Sequence, residues 1–482
     1  MAKQLYSVRN FNGGIAESSK AGSSPGAFYF GKRLNIFGDP GELTINPALA
    51  KVSGSTVVDL VKWIVSGTPH ISKNYYYGDT GRIYESSLTG GSWSSIRTVA
   101  SSVGQGLEVH SDYLYYTQNT QIGRYGLLSG SPSFTDNWQT GLNDTSTTGF
   151  APIKAFKEGF AVGNGNDLGW WDGSTWDQDR VVLPPGFNIR SLEVIDEFLA
   201  IGTWRGTSIT ASEDNYIFFW DGTAPTFNFF VQTDGPVNAL LNNKNRLMSI
   251  QGSEGAIYLN YAPFSHVHNI PFIDPDEYAE VFPGAVSNWR GKALIGMAGN
   301  TDAVGLYTGV YQWGSRNDKY SEALNYGFTP SHGEETGITR NIGAVKGIGN
   351  QMYTGWKSGS TYGVDRVTTA SAPYATGVYE GLLVDDKRPA KGKLALTLRA
   401  DHIALLANET IQLGYKTNRE STYNTGTANA EDDSAKTRLP IQASKARFNE
   451  HQFEVILGGT TTSPKVTSLS LLYDDLKEEE EI

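Results

Sequence analysis

Two closely spaced histidines are the first residues in this sequence that could bind a metal ion together. The chain has seven histidines, and His266 and His268 stand two residues apart. In a strand this spacing places both rings on one face, as metal ligation requires. No carboxylate or third histidine lies at a spacing typical of a third metal ligand. We therefore interpret the two residues as a surface pair and predict no metal site there.

The acidic run Asp274-Pro275-Asp276-Glu277 could crowd oxygen atoms around calcium. It lacks the alternating ligands and the turn glycine of a calcium-binding loop, so a plain acidic turn is the simpler interpretation. The chain has no cysteine, which excludes disulfides, thiolate metal sites and cysteine nucleophiles.

Other catalytic and cofactor motifs are missing as well. No glycine-rich loop ends in Lys-Ser or Lys-Thr, and no Gly-x-Ser-x-Gly turn stands out. Gly347-Ile348-Gly349 lacks a third glycine and is typical of a turn. The sequence thus predicts a protein that is not an enzyme, with no catalytic residue, no cofactor and no metal.

Two turns are similar to the Asp-box turns of sialidase propellers. They are Trp171-Asp172-Gly173-Ser174-Thr175-Trp176 and Trp220-Asp221-Gly222-Thr223, and both have the box spacing one residue short. An Asp-Gly pair shapes a tight hairpin that a tryptophan can cover, so a structural role is sufficient. No arginine cluster with a tyrosine nucleophile accompanies them.

Exposed aromatic rings could bind sugars by stacking. The candidate contacts for a glycan or a partner are Trp138, Trp170, Trp204, Trp289, Trp313 and Trp356. The alternative is that most of these rings pack between neighbouring sheets.

The composition indicates which elements must carry these residues. The 482 residues include 55 glycines and 12% aromatic residues, which favours many short strands and tight turns in an all-β fold. The net charge of −11 argues against a general nucleic-acid surface, and we predict no sequence-specific nucleic-acid binding. No apolar stretch approaches the ~18 residues that span a bilayer, so we predict no membrane insertion.

A four-strand unit recurs along the chain. Its second strands recur at Tyr75, Tyr113, Phe160, Phe198, Arg246, Ala293 and Gln351, close to the ~40–50-residue spacing of propeller blades. The pattern predicts a β-propeller of about seven blades. A series of β-sandwich domains is the alternative.

Four regions follow from this pattern. We predict an N-terminal arm and closing strands over 1–56, the propeller over 57–378, a C-terminal β-sandwich, jelly-roll-like, over 379–474, and an acidic tail over 475–482. Alternating apolar residues in Lys393–Leu398, Thr410–Tyr415, Phe453–Leu457 and Val466–Tyr473 predict the sandwich strands.

Several short segments resemble tailed-bacteriophage virion tail proteins that carry a β-propeller, of the minor tail, nozzle or tail-tip type. These segments are Phe11-Asn12-Gly13-Gly14-Ile15, Phe30-Gly31-Lys32-Arg33, Pro40-Gly41-Glu42-Leu43 and Thr462-Ser463-Pro464-Lys465-Val466. The chain is smaller than a podophage nozzle.

The resemblance implies a structural protein of the virion tail, assembled in the host bacterial cytoplasm. Its implied partners are other virion tail proteins and further copies of itself, as a homo-oligomeric ring or trimer about the tail axis. The alternatives are a carbohydrate-binding adhesin that contacts a bacterial surface glycan during host attachment, or a propeller glycosidase.

Overall fold

A computed structural model describes residues 3–17, 26–39, 41–52, 57–67, 71–88, 93–99, 104–143, 150–212, 214–252, 256–259, 265–269, 280–297, 308–332, 340–385 and 391–476. The acidic run at Asp274–Glu277 and the tail beyond Leu476 lie outside these residues. No helix in the described ranges is long and apolar enough to cross a membrane.

Short strands make up almost all of the regular structure. The first strands are β1 Lys3–Val8, β2 Gly14–Ile15, β3 Ala27–Phe28, β4 Phe30–Lys32, β5 Leu34–Asn35, β6 Thr44–Ile45 and β7 Ala50–Lys51. Next come β8 Val61–Ser66, β9 Lys73–Gly78, β10 Arg82–Ser87, β11 Trp93–Thr98, β12 Gly106–His110, β13 Tyr113–Gln118, β14 Gln121–Gly126, β15 Ser133–Thr140, β16 Ile153–Phe156, β17 Gly159–Asn164, β18 Asp167–Trp171 and β19 Trp176–Val182.

The middle of the chain continues the series. It contains β20 Phe187–Ile195, β21 Phe198–Arg205, β22 Asn215–Trp220, β23 Phe229–Thr233, β24 Val237–Asn243, β25 Arg246–Gln251, β26 Ile257–Leu259, β27 Ser265–His268, β28 Val286–Trp289, β29 Lys292–Met297, β30 Gly309–Gly314, β31 Ala323–Phe328, β32 Arg340–Ile348, β33 Gln351–Ser358 and β34 Thr361–Thr368.

The last strands are β35 Thr376–Glu380, β36 Lys393–His402, β37 Thr410–Thr417, β38 Asn424–Thr425, β39 Lys436–Pro440, β40 Arg447–Phe448, β41 His451–Gly458 and β42 Val466–Asp475. Short 3-10 helices occur at Ile209–Ala211, Pro283–Ala285 and Ala443–Lys445.

Two-residue turns explain why neighbouring strands pair as hairpins. Ser111 and Asp112 join β12 to β13 with φ of 43° and 65°. Lys244 and Asn245 join β24 to β25 with φ of 53° and 62°. Positive φ at both turn residues matches the right-handed twist of paired strands, so these turns close antiparallel pairs.

The chain divides into two compact units. One unit contains residues 50–310 and 330–368, and the other contains residues 1–49, 311–329 and 369–482. We call them the repeat unit and the terminal unit. Their limits differ from the regions predicted from sequence, because the N-terminal and C-terminal segments belong to the same unit.

The repeat unit is a propeller-like series of four-stranded antiparallel sheets. Five sheets run in simple order: β8 to β11, β12 to β15, β16 to β19, β20 to β23 and β24 to β27. In the sixth, β28 pairs with β29 within this unit. The next sheet has the order β32-β33-β34-β7, so its fourth strand comes from before the first sheet.

Aromatic and aliphatic side chains fill the repeat unit between sheets. A cluster from β16 to β22 buries Trp170, Phe187, Phe218 and Trp220. Another cluster joins Val52, next to β7, to Val61, Tyr76 and Tyr353. Burying each such side chain stabilises the fold by roughly 1.5–3 kcal/mol. The sheets are therefore held together by packing across their faces.

The terminal unit contains two larger sheets. One has the order β1-β42-β36-β39, and β40 also pairs with β36. The other runs β31-β4-β35-β41-β37-β38. Tyr6 on β1 lies 5.8 Å from Phe453 on β41, measured between ring centroids, so side chains of the two sheets meet.

Candidate functional site

The first strands of seven successive sheets line one cavity of about 330 Å³ in the repeat unit. These strands are β8, β12, β16, β20, β24, β28 and β32. Strands that belong to separate sheets can share one cavity only where the sheets converge. We call this space the axial cavity.

Six of the seven strands present a charged or amide side chain to the axial cavity, and β8 presents apolar Trp63, Ile64 and Val65. The charged and amide side chains are Glu108, Lys154, Glu193, Asn242, Asn288 and Lys346. Two carboxylates and two ammonium groups thus share the cavity, with no net charge.

Lys154 and Glu193 form a close ion pair across neighbouring sheets. The Lys154 Nζ atom lies 2.7 Å from Glu193 Oε1, and the two side chains are 29% and 13% exposed. Burial lowers the pKa of the Lys154 ammonium, but Glu193 and Glu108 outweigh that effect and raise it above its usual value. Lys154 is therefore charged at neutral pH.

Glu108 and Lys346 complete the group. Burial raises the pKa of the Glu108 carboxyl, and Lys154 and Lys346 partly oppose that rise. Burial lowers the pKa of Lys346, and Glu108 partly opposes that fall. Opposite charges on other sheets therefore offset part of the cost of burying Glu108 and Lys346.

Backbone and amide groups extend this network along the cavity wall. Asn242 Nδ2 donates to the Val194 carbonyl at 2.9 Å, and Asn288 Nδ2 donates to the Asn242 carbonyl at 2.6 Å. The Leu240 amide donates to Ser191 Oγ at 2.9 Å. The polar wall of the cavity is thus largely paired within the protein.

An aromatic and cationic cluster lies next to the axial cavity. The Arg190 guanidinium carbon is 4.7 Å from the Phe150 ring centroid, and Lys62 Nζ is 5.1 Å from the same centroid. Phe282 lies 5.8 Å from Phe150 between ring centroids, and Arg190 Nη2 is 3.1 Å from Glu280 Oε1. We call these five residues the axial plug.

The axial plug joins sheets that are not neighbours in the series. Lys62 belongs to β8 and Arg190 to β20, and their next residues, Trp63 and Ser191, line the axial cavity. Burial lowers the pKa of Lys62, opposed by Asp79 and Glu280. Cation–π contacts of this kind are worth about 0.5–2 kcal/mol each. The plug is therefore a second brace at the centre of the unit.

Sequence reasoning missed the axial residues, although a signal was present. Several of the charged residues stand between apolar neighbours, as in Leu107-Glu108-Val109, Ile153-Lys154-Ala155 and Leu192-Glu193-Val194. An alignment of the first strands of the repeated units would have placed these charges at equivalent strand positions.

The Asp-Gly turns have the structural role predicted for them. Asp221 Oδ1 accepts the Thr223 and Ala224 amides at 2.8 and 2.9 Å, and these bonds hold the pKa of Asp221 well below its usual value. Trp220 is fully buried, and its Nε1 donates to the Ala224 carbonyl at 2.8 Å. Asp172 accepts the Ser174 and Thr175 amides in the same way.

The six candidate tryptophans lie in strands and pack against protein. Trp138 on β15 is half-buried, 4.9 Å from Trp171 and 5.1 Å from Tyr115 between ring centroids. The other five are at most 9% exposed: Trp170, Trp204, Trp289, Trp313 and Trp356. The structure does not bring the six rings together into one site. Their role in glycan binding stays a prediction.

The two histidines do not form a surface pair, so that interpretation was wrong. His266 is exposed and bonds Asn269 Oδ1 at 2.7 Å, whereas His268 is 9% exposed. The cause is a β-bulge where β26 pairs with β27, which shifts the register between the two positions. In the described part of the chain, no three histidine or carboxylate side chains could hold a metal ion.

The terminal unit has a carboxylate pair of its own. Glu380 on β35 lies directly opposite Glu454 on β41. Tyr423 Oη donates to Glu380 Oε2 at 3.0 Å, and Lys416 Nζ is 4.0 Å from the Tyr423 ring centroid. Burial and the adjacent Glu380 charge raise the pKa of Glu454 to about 7. Two like charges face each other here, which makes this sheet sensitive to pH.

Comparison with known proteins gives structural likeness only. No protein-family model matches the sequence, and no curated protein matches it. The computationally designed Ika8 protein is similar at 12% identity and a TM-score of 0.40, over 70% of this chain and 97% of that one. YCF48 bound to a D1 peptide is similar at 11% identity and a TM-score of 0.45, over 68% and 98%.

A third similar structure is the extracellular domain of the putative hybrid two component system BT3049 from B. thetaiotaomicron. It has 11% identity and a TM-score of 0.48, and the match covers 87% of this chain and 58% of that one. The fold described above rests on this chain's own strand pairing.

Proposed function

We propose that the chain is a structural and contact protein of a tailed-phage virion tail, without catalysis, part of a nozzle, hub or tip. In this proposal the repeat unit is a seven-bladed β-propeller closed by β7, and the terminal unit is a jelly-roll-like β-sandwich. The tail assignment rests on the sequence resemblance. The chain would assemble in the host cytoplasm as a ring or trimer with other tail proteins.

The observation that carries the scaffold role is the internal pairing of the axial charges. Lys154 and Glu193 are paired at 2.7 Å, and Glu108 and Lys346 lie in the same neutral group. An acid–base catalyst needs a group with access to its substrate. Here Lys154 and Glu193 bind each other at the centre, which supports a rigid spacer that presents its outer surfaces to partners.

The test is the location of the chain in virus particles. Particles of the phage that encodes the chain are purified, and their proteins are counted by quantitative mass spectrometry. We expect a fixed copy number, and a C-terminal label visible at the tail axis by electron microscopy. Absence from intact particles would contradict the tail role.

A second experiment tests the scaffold role independently. The purified chain is incubated with bacterial surface polysaccharide, and reducing ends are measured. We expect no release. Release by the wild-type chain that is lost in Glu108→Gln or Glu193→Gln would show that the axial cavity is catalytic and would overturn the scaffold role.

A further inference from the structure

One edge of the terminal unit lacks the features that usually block strand pairing. Among the described strands, β1 pairs only with β42, so its other side is a sheet edge. The strand reads Lys-Gln-Leu-Tyr-Ser-Val over Lys3–Val8, with no proline and one charge. A regular edge of this kind is a template for another strand.

The opposite edge of the same sheet is built differently. It is β39, Lys436–Pro440, where Lys436, Arg438 and Pro440 are exposed. Proline cannot donate a ladder hydrogen bond, and charged side chains disfavour edge pairing. The β39 edge is therefore protected, and a head-to-tail contact between β1 of one copy and β39 of the next is disfavoured.

The side chains of β1 alternate between two faces. Lys3, Leu5 and Ser7 point outward and are exposed, whereas Gln4, Tyr6 and Val8 are half-buried on the inner face. Leu5 is 61% exposed, one of the largest exposures of any described apolar side chain. A strand added at this edge would cover the exposed Leu5 side chain.

We propose that β1 pairs with β1 of a second copy of this chain, antiparallel, about a two-fold axis at Leu5. Outward residues must face outward residues in a continuous sheet, because side chains alternate with period two. With Leu5 opposite Leu5 of the second copy, Lys3 lies opposite Ser7 and Gln4 opposite Tyr6. The two exposed leucines cover each other, and no like charges meet.

A shift of the register by one residue would break this match. It would set outward Leu5 opposite inward Tyr6, which the pleat does not allow. The pairing is isologous, since the same patch serves both copies. Stable interfaces bury ~1,200 Å² or more. The proposed contact is made by one six-residue strand from each copy, so we expect the dimer fraction to rise with concentration.

The test uses the full chain and its lack of cysteine. Leu5→Cys introduces a single thiol, and directly opposed residues have Cβ atoms about 4.5–5.5 Å apart, near enough for a disulfide after small movement. We expect oxidation to give a covalent dimer on a non-reducing gel. Val182→Cys is the matched control, because Val182 is a 55% exposed apolar residue on β19. After the same oxidation this variant should form no covalent dimer on the gel.

A charge exchange tests the register. Leu5→Lys and Leu5→Glu each place like charges opposite each other, so each variant alone should sediment as a monomer at concentrations where the wild type dimerises. A mixture of the two should restore the dimer. Circular dichroism confirms that both variants fold, as the exposure of Leu5 leads us to expect.

Two results would overturn the proposal. The first is a wild-type chain that sediments as a monomer at all concentrations, with no crosslink in Leu5→Cys. The second is a dimer that neither crosslinks through Leu5→Cys nor responds to the charge exchange. Neither result bears on the tail role, which concerns particles rather than the isolated chain.

Discussion

The Lys154–Glu193 ion pair at the centre of the repeat unit contributes to the stability of the folded protein. Glu193 is 13% exposed and Lys154 29% exposed, so both have lost most of their contact with bulk water. A partly buried ion pair that loses one partner leaves the other charge uncompensated. The pair should therefore contribute more to stability than an ion pair on the surface.

We predict that Glu193→Gln lowers the free energy of unfolding by about 2 kcal/mol, because the Lys154 ammonium then lacks its carboxylate. Urea denaturation at neutral pH measures the change. The matched control is Asp214→Asn, which breaks the exposed Arg205–Asp214 pair. That control should cost less than about 0.5 kcal/mol. Equal effects in the two variants would contradict a bracing role for the axial pair.

The candidate site shows what sequence can predict at this scale. The hairpin role of Asp172 and Asp221 follows from local chemistry, because an Asp side chain accepts amides two and three residues ahead. The axial group could not be assembled in the same way. Glu108 and Lys346 stand in different sheets far apart in the chain, and only the three-dimensional arrangement brings them into one cavity.

Strand pairing in the terminal unit creates an electrostatic conflict. The register of β35 and β41 sets Glu380 opposite Glu454, and burial adds to their repulsion. The folded state holds a proton on Glu454 up to about pH 7, whereas an unfolded glutamate loses it near pH 4.3. Folding therefore binds protons between these values, so stability falls as the pH rises through this window.

We predict that Glu454→Gln removes much of this pH dependence. The wild type should lose about 1–2 kcal/mol more of its free energy of unfolding between pH 5 and pH 8 than the variant does. This figure allows for the partial exposure of the Glu454 side chain. Urea denaturation at both pH values measures the difference. Glu431→Gln, on an exposed loop residue, should behave like the wild type. A variant that keeps the wild-type pH dependence would show that the pair is not coupled.

The pairing of β7 with β34, which we call the β7 seam, joins the two ends of the repeat unit. β7 pairs with β34, with Lys51 opposite Asp365, and the Val52 amide donates to the Val364 carbonyl at 3.0 Å. Val52 is 4% exposed and belongs to the cluster that holds Tyr76 and Tyr353. The last sheet of the repeat unit is therefore completed by a strand from the other end of the series.

We predict that Val52→Asp opens this seam and lowers the free energy of unfolding by about 3 kcal/mol, because it buries a carboxylate among apolar side chains. Limited proteolysis should then cut near residues 50–52. Lys51→Arg changes the neighbouring exposed residue, keeps the positive charge opposite Asp365, and should cost under about 1 kcal/mol. Resistance of Val52→Asp to proteolysis would contradict the seam.

At the scale of the whole molecule, the terminal unit is assembled from three separate segments. Its sheets combine β1 and β4 from the start of the chain, β31 from the middle, and β35 to β42 from the end. β42 pairs with β1 on one side and β36 on the other. A fragment from one segment alone would leave long strand edges unpaired.

We predict that residues 369–482 expressed alone show no cooperative unfolding transition, because β35 and β42 lose their partners β4 and β1. Near-ultraviolet circular dichroism and urea denaturation test this. Addition of the peptide 1–49 in trans should restore part of the signal. A fragment that unfolds cooperatively alone would show that the last segment is self-sufficient.

The sequence predicted the repeat better than the partition of the chain. The predicted segments Thr410–Tyr415 and Phe453–Leu457 lie within β37 and β41, because alternating apolar residues set these strands locally. The join of 1–49 to 369–482 depends on pairings such as Leu5 with Leu472, which no local pattern encodes.

The β7 seam has a consequence for the order of events during synthesis. β7 ends at Lys51 and its partner β34 begins at Thr361, so translation separates them by about 300 residues, or roughly 15–60 s at ~5–20 residues per second. During that interval each newly made sheet remains uncovered on the side where the next sheet will pack. β7 therefore cannot pair with β34 until the last sheet of the repeat unit emerges from the ribosome, and this interval is when the chain most needs protection from aggregation.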